Sequence, residues 1–144
     1  MAAVPYRALS IVAAIVIGAC GAHASAEAVV VVSAKNPVTS LSRGQVTDIF
    51  LGRTLRFPDG QPAVPIDQFE GSSTRDEFYL AFAGKSQAQI NAHWSRIIFT
   101  GRGQPPLEVA NAAEVKKRLA HDPSAIGYIE PRMVDSSVKV VTAP

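Results

Sequence analysis

The chain has 144 residues, of which 47% are hydrophobic and 18% are charged, and its formal net charge is +2 at neutral pH. This length is enough for one compact domain with a modest core, but two full domains would not fit. The charge is nearly balanced and its one basic cluster, residues 116–118, is typical of a solvated helix face, so nucleic acid is not an expected partner.

Residues 1–24 have the pattern of an export signal. A short, weakly basic start precedes the apolar run 8–19, which is too short to span a membrane comfortably. Small residues around Ala24 offer a cleavage site, whereas Cys20 follows Ile-Gly-Ala as in a bacterial lipobox. The two alternatives are therefore cleavage after Ala24 and lipidation at Cys20. The mature part, residues 25–144, is expected to be a single domain without a disulfide, because Cys20 is the only cysteine.

The rest of the chain predicts alternating strands and helices. Residues 28–33 form a continuous β-branched run, as expected of a strand buried on both faces. A short helix follows, capped by Ser40 or Ser42 and ended by Gly52. Residues 63–66 predict a second short, apolar strand.

The elements predicted after this strand are helices over residues 75–82, 87–99 and 111–121, and strands over residues 126–129 and 138–141. In the first of these helices Phe78, Tyr79 and Phe82 have the spacing of an aromatic face that packs on a core. The order β-α-β-α-α-α-β-β predicts an α/β fold, a mixed sheet with helices packed on it.

The connection from the second strand into the next helix has the composition of an anion site: Glu70, Gly71, Ser72, Ser73, Thr74 and Arg75. A helix N-terminus leaves about four backbone N–H groups without intrahelical partners and carries roughly half a positive charge, so it can bind an oxyanion. The hydroxyl groups add donors, and Arg75 adds a planar charged fork. Open α/β sheets also usually bind ligands where a strand leads into a helix.

The same residues are also those of an ordinary helix cap. Thr74 and Glu77 have the spacing of a capping box. Asp76 and Glu77 are alternative partners for Arg75. The residues by themselves leave the anion site and the cap open as interpretations.

Neither catalysis nor metal binding is indicated. His93 and His121 fall on different predicted helices, and no carboxylate or hydroxyl is placed by sequence to form a recognisable triad with them. No His-x-x-x-His or Cys-x-x-Cys spacing occurs. We therefore expect no enzyme activity, no metal and no cofactor.

A series of short landmarks follows in order along residues 28–142. They are Asn36-Pro37-Val38, residues 41 and 45–52, the turn Gly71–Arg75 with Phe78, then Trp94, Phe99-Thr100-Gly101, Pro105-Pro106 and Ala125-Ile126-Gly127-Tyr128. In order and spacing they resemble the phosphate-binding subunit of bacterial ABC importers, a type II periplasmic binding protein. Full-length members have two lobes that close on phosphate, so the resemblance implies a shortened relative with one lobe.

The resemblance also implies roles for individual residues. The family's phosphate motif is matched at Glu70, Gly71, Ser72 and Thr74, and Arg75 is a frequent companion of shorter motifs. Two positions depart from it, because Gln68 stands where an arginine can contact the anion and Ser73 where a second glycine is common. Glu70 can accept a hydrogen bond from a protonated phosphate oxygen, which favours phosphate over sulfate.

Two functions follow as hypotheses. The first is a periplasmic solute-binding protein for phosphate or a related oxyanion, linked to an ABC-type transporter or a sensor, with weak binding unless a homodimer or another partner covers the site. The alternative is an envelope interaction module that has lost its ligand. It would have a site closed by Glu70, Asp76 or Glu77 and an exposed apolar patch elsewhere.

Overall fold

The computed structural model describes residues 27–142, so the expected leader and Cys20 lie outside the described residues. The elements in chain order are β1 (Val29–Ser33), α1 (Arg43–Phe50), β2 (Val64–Gln68), α2 (Ser73–Ala83), α3 (Gln87–Phe99), β3 (Leu107–Val109), α4 (Ala112–His121), β4 (Ala125–Ile129), a short 3-10 helix (Pro131–Met133) and β5 (Val138–Val140).

The strands form one mixed sheet in the order β3-β2-β4-β1-β5. β2 lies between β3 and β4 and is parallel to both, whereas β1 is antiparallel to both β4 and β5. β1 and β4 are in the middle of the sheet and are buried on both faces. For β1 the run of apolar β-branched residues predicts this burial.

Helices cover both faces of the sheet. Alternate residues of β1 separate the two cores, because Val30 and Val32 pack on the side of α1, α2 and α3, while Val31 packs on the side of α4. The first core contains the aromatic residues Phe78 and Tyr79, which are 1% and 2% exposed, as their spacing predicts. The predicted fold class, a mixed α/β sheet with helices packed on it, is confirmed.

Side-chain caps define where the helices begin. Ser42, one of the two predicted caps, forms a capping box with Gln45, and Ser86 forms another with Gln89. Asn111 caps α4 through its side chain. Within residues 27–142, no helix combines the length and apolar character needed to cross a bilayer.

Two expectations about the elements are wrong. The predicted order lacked β3, a three-residue strand that pairs with β2 at the edge of the sheet. β2 extends beyond residue 66 to Gln68, because Asp67 and Gln68 continue the parallel pairing with β3 even though they are polar. This extension places Asp67 and Gln68 at the carboxyl end of β2, where ligands usually bind in such sheets.

Candidate functional site

The connection between β2 and α2 is a tight turn at the carboxyl end of β2. Gly71 has a φ of 98°, a conformation that residues with a Cβ rarely adopt. The Ser72 N–H group donates to the carbonyl oxygen of Phe69 at 3.1 Å. Ser72 caps the helix, since its Oγ accepts from the N–H group of Arg75 at 3.3 Å. The proposed capping box of Thr74 and Glu77 is therefore wrong, because Thr74 is already the second residue of α2.

The first turn of α2 contains backbone N–H groups that make no hydrogen bond among the described residues. Of its first N–H groups, those of Ser72 and Arg75 are satisfied within the turn. The N–H groups of Ser73 and Thr74 have no hydrogen-bond partner among residues 27–142. Both lie at the positive end of the helix dipole, so this end of α2 can accept an anion. The Ser73 side chain is exposed, whereas Ser72 and Thr74 are 9% and 7% exposed.

Glu70 points toward α3. Its Oε1 accepts hydrogen bonds from Gln87 Nε2 at 2.7 Å and from Asn91 Nδ2 at 2.9 Å. These two bonds, that of Asn91 first, lower the pKa of Glu70 below its ordinary value. Its second oxygen has no hydrogen-bond partner among the described residues. Glu70 is therefore a carboxylate with one oxygen held by α3 and the other available.

A second carboxylate, that of Glu130, stands at the same end of α2. Thr74 Oγ1 donates to Glu130 Oε1 at 3.3 Å. Glu130 directly follows β4, the parallel neighbour of β2. A hydrogen bond from Arg132 is the main cause that lowers the pKa of Glu130, so the group is charged at neutral pH. Glu130 was not among the predicted site residues, and it lies 56 residues from Thr74 along the chain.

Gln68, one of the two residues that depart from the resembled motif, has its side chain in the interior. Its side chain donates to the carbonyl oxygen of Tyr128 at 3.0 Å and accepts from Ser72 Oγ at 3.1 Å. It is only 4% exposed. The amide thus holds the capping serine in place and ties the turn to β4.

Arg75 lies in the interior, where it forms an ion pair with Asp67. Its Nε donates to Asp67 Oδ2 at 3.4 Å, and the two side chains are 4% and 2% exposed. The guanidinium also lies over the ring of Tyr79, 5.1 Å from the centroid. One nitrogen, Nη1, is buried and has no hydrogen-bond partner in the part of the chain that the structure describes. The six predicted site residues thus fall into two groups, five around the turn and Arg75 behind it.

Asp67 organises a buried polar cluster. Its carboxylate accepts from the hydroxyl of Tyr79 at 2.6 Å, from the hydroxyl of Tyr128 and from the N–H group of Gln68. Burial, and next the charge of Asp67, raise the pKa of both tyrosines, so their hydroxyls remain protonated donors. Burial alone would lower the pKa of Arg75, but the carboxylate and the two tyrosines reverse this and raise it.

Sequence reasoning missed this cluster. Asp67 was placed beyond the end of β2 and received no role. One usable signal was present: an acidic residue directly after an apolar strand needs a buried partner if the strand continues. Within residues 27–142 there is also no group of three or more potential metal ligands.

Comparisons with known proteins add evidence on the fold. No family model matches the chain, and no curated protein matches it. Several solved structures resemble it. A Clostridium perfringens protein, described as a phosphate ABC transporter substrate-binding protein with bound phosphate, is 24% identical with a TM-score of 0.62. A Vibrio cholerae ABC-type phosphate transport receptor is 23% identical with a TM-score of 0.63, and PstS from Borrelia burgdorferi is 14% identical with a TM-score of 0.59.

These similarities cover most of this chain but not of the other proteins. They include 80%, 80% and 82% of this chain, but only 44%, 45% and 49% of the three matched chains. The chain thus spans less than half the length of each. At this level of identity the comparisons show a shared fold. The first two of these neighbours are described as a transporter substrate-binding protein and a transport receptor, not as enzymes.

Proposed function

We propose that this chain is an exported solute-binding protein that binds phosphate or a related small oxyanion at the N-terminus of α2. The observation that carries the proposal is that the N–H groups of Ser73 and Thr74, at the positive end of the helix, have no partner among residues 27–142. The proposed site consists of Glu70, Gly71, Ser72, Ser73, Thr74 and Arg75. The fold shared with proteins described as phosphate-binding supports this choice of ligand.

Carboxylates at the site favour phosphate over sulfate. The free oxygen of Glu70 can accept a hydrogen bond from a protonated phosphate oxygen, and Glu130 beside Thr74 offers a second acceptor. Sulfate has no proton to donate at neutral pH and would only be repelled by these charges. Because Arg75 is held by Asp67, it acts through its charge rather than through a two-pronged contact.

The proposal includes a context for the protein. A single lobe leaves a bound anion half in water, where hydration competes with each contact. A shortened, single-lobe relative of the phosphate-binding proteins would therefore bind weakly unless a second copy or another partner covers the anion. Export to the periplasm, with an ABC-type transporter or a sensor as the membrane partner, fits this function.

The decisive experiment is calorimetric titration of the purified protein with phosphate and, separately, with sulfate. We expect saturable heat from phosphate alone. The variant Ser73→Asp places a fixed negative charge in the first turn of α2, so the affinity for phosphate should fall at least about tenfold. The helix itself should not be destabilised, because a negative charge is favourable at a helix N-terminus. Ala113→Asp places the same charge in the first turn of α4 and should leave affinity unchanged. Equal binding by both variants, or no heat from phosphate with folded protein, would reject the site.

One observation favours the alternative function, a ligand-free interaction module. Ile98 and Phe99, adjacent residues at the end of α3, are 55% and 92% exposed. Exposed apolar side chains of this size are typical of a contact surface when they occur together. A folded protein that binds neither anion would favour this interpretation.

A further inference from the structure

A cleft lies where the loop that follows α1 meets α3 and the loop that follows α3. It has a volume of about 370 Å³, and small-molecule sites in proteins usually start at about 300 Å³. None of residues 70–75 lines it, and neither do the two residues of α3 that bond to Glu70. The cleft therefore shares no residue with the proposed anion site.

The buried part of the lining is held in a fixed arrangement. His93 Nε2 lies 2.9 Å from the carbonyl oxygen of Leu51 and donates to it, since a carbonyl oxygen can only accept. Gly52 packs so closely on the ring of Trp94 that a Cβ atom would lie 2.8 Å from Cη2. A ligand would thus meet a preformed surface, and ordering of the protein would cost little.

Much of the lining is apolar. Leu51 and Trp94 are buried, Ile97 is partly buried, and Leu55 is 61% exposed. Removing such apolar surface from water is favourable, and a ligand can do so only if it is itself apolar over part of its surface. The cleft therefore favours a ligand with an apolar body over a small hydrated anion.

The charged side chains that line the cleft are both basic. They are Arg53 and Arg102, and no carboxylate of the described residues lines it. Arg53 Nη1 pairs with Asp48 Oδ1 at 3.1 Å, so this charge is matched. The side chain of Arg102 makes no hydrogen bond or ion pair with residues 27–142. One positive charge at the cleft is thus unmatched, and a ligand with a single negative charge would match it.

We infer that this cleft binds a small apolar monocarboxylate, of the class of short-chain and medium-chain fatty acids. Its carboxylate accepts from the guanidinium of Arg102, and its apolar body packs on Leu55 and Ile97. This binding goes beyond the proposed function and does not depend on it. Affinity on the order of millimolar is expected, because the cleft is open to solvent and supplies one charged contact.

Three glycines report on the two sites in one proton–nitrogen correlation spectrum of the labelled protein. Gly52 and Gly103 line the cleft, whereas Gly71 lies in the turn that begins α2. We expect hexanoate to shift the backbone amide signals of Gly52 and Gly103 saturably and to leave that of Gly71 in place. Phosphate at the same ionic strength should leave Gly52 and Gly103 in place, whatever its effect on Gly71.

Two analogues test the two parts of the ligand. Hexanamide has nearly the same shape as hexanoate without the charge, and it should bind about three- to fivefold more weakly. Acetate has the carboxylate without the apolar body, and it should bind at least about tenfold more weakly.

Variants at exposed positions separate binding from folding. Arg102→Gln should reduce the affinity for hexanoate to about that for hexanamide, whereas Arg96→Gln, the matched control on α3, changes an exposed arginine that does not line the cleft. Leu55→Asp places a negative charge in the apolar lining and should abolish the shift. Leu80→Asp is its control, because Leu80 is 65% exposed and does not line the cleft. Both controls should bind hexanoate normally, and normal binding by Leu55→Asp would contradict the inference.

Several further results would overturn the inference. These are no saturable shift of Gly52 and Gly103 by hexanoate in the folded protein, equal affinity for hexanoate and either analogue, or equal losses in Arg102→Gln and Arg96→Gln. A shift of Gly71 over the same range of hexanoate concentration would place the ligand at the anion site, and this would also overturn it.

Discussion

Asp67 shows how a single buried charge is tolerated in this core. Its two oxygens accept from two tyrosine hydroxyls, one backbone N–H group and the guanidinium of Arg75. A carboxylate that is 2% exposed would be strongly destabilising without such partners. Arg75 is equally dependent, because it is a buried cation whose ion pair among the described residues is with Asp67. The two residues stabilise the fold as a pair, and either one would be destabilising without the other.

Removing Arg75 should therefore reduce stability. Arg75→Ala leaves Asp67 without its counter-charge and removes the contact with the ring of Tyr79, at a cost of about 3 kcal/mol in the free energy of unfolding. Arg53→Ala is the control, because Arg53 pairs with Asp48 on the surface, where both side chains are about half exposed. That variant should cost less than about 1 kcal/mol. Urea unfolding measures both, and similar losses in the two variants would contradict the structural role of the buried pair.

At the level of residues, the sequence predicted the turn better than the interior. Gly71 and the hydroxyl residues could be recognised because their chemistry depends on near neighbours in the chain. The partners of Arg75 and Thr74 could not be recognised in this way. Asp67 lies on the preceding strand, β2, and Glu130 follows β4, which comes much later in the chain. Such pairs depend on strand order, which local patterns do not encode.

Gly127 determines how closely α4 can approach the sheet. It lies in the middle of β4, on the face covered by α4. A Cβ atom at this position would lie 2.5 Å from Cγ1 of Val115, closer than packed carbon atoms come. The glycine is thus required by a helix that packs directly on the strand rather than by the backbone conformation.

Substitution of Gly127 should separate these elements. Gly127→Ala forces Val115 and α4 to shift, at a cost of about 1–3 kcal/mol in the free energy of unfolding. Val115→Ala removes the obstructing methyl groups, so the double variant should lose less than the sum of the two single variants. Gly44→Ala is the control, because it lies in α1 with no close neighbour and should increase stability by about 0.5–1 kcal/mol. If the losses in the free energy of unfolding of the two single variants add strictly in the double variant, the contact between residues 115 and 127 does not limit packing.

The elements that could be predicted have strong local signals. The bounds predicted for α3 agree with the structure, because its apolar residues keep helical spacing along its 13 residues. β3 was missed because it has three residues, follows two prolines and pairs with a neighbour on one side only. A strand of this kind is stabilised by the sheet that it joins rather than by its own sequence.

Across the whole molecule, exposed carboxylates connect elements that are distant in the chain. Glu70 joins β2 to α3, Asp135 pairs with Lys116 of α4, and Glu130 bonds to both Arg132 and Thr74. Hydrogen bonds to these groups lower the pKa of all three, from Asn91 for Glu70, from Arg132 for Glu130 and from Lys116 for Asp135. For Asp135 the value falls from 3.8 to about 2.

Acid should therefore weaken the fold in a defined range of pH. A carboxylate whose pKa is lower in the folded state stabilises that state above its unfolded pKa, and the stabilisation disappears as pH falls through the folded pKa. The unfolded values are 4.5 for glutamate and 3.8 for aspartate, so the melting temperature should fall as pH decreases from about 4.5 to about 2. Asp135→Asn should flatten the part of this fall below pH 3.8.

Sodium chloride at about 0.5 M should reduce the slope of the melting temperature against pH, because the groups are exposed and their attractions are screened. A melting temperature independent of pH over this range would show that these contacts contribute nothing to stability, and an unchanged profile in Asp135→Asn would exclude the pair with Lys116.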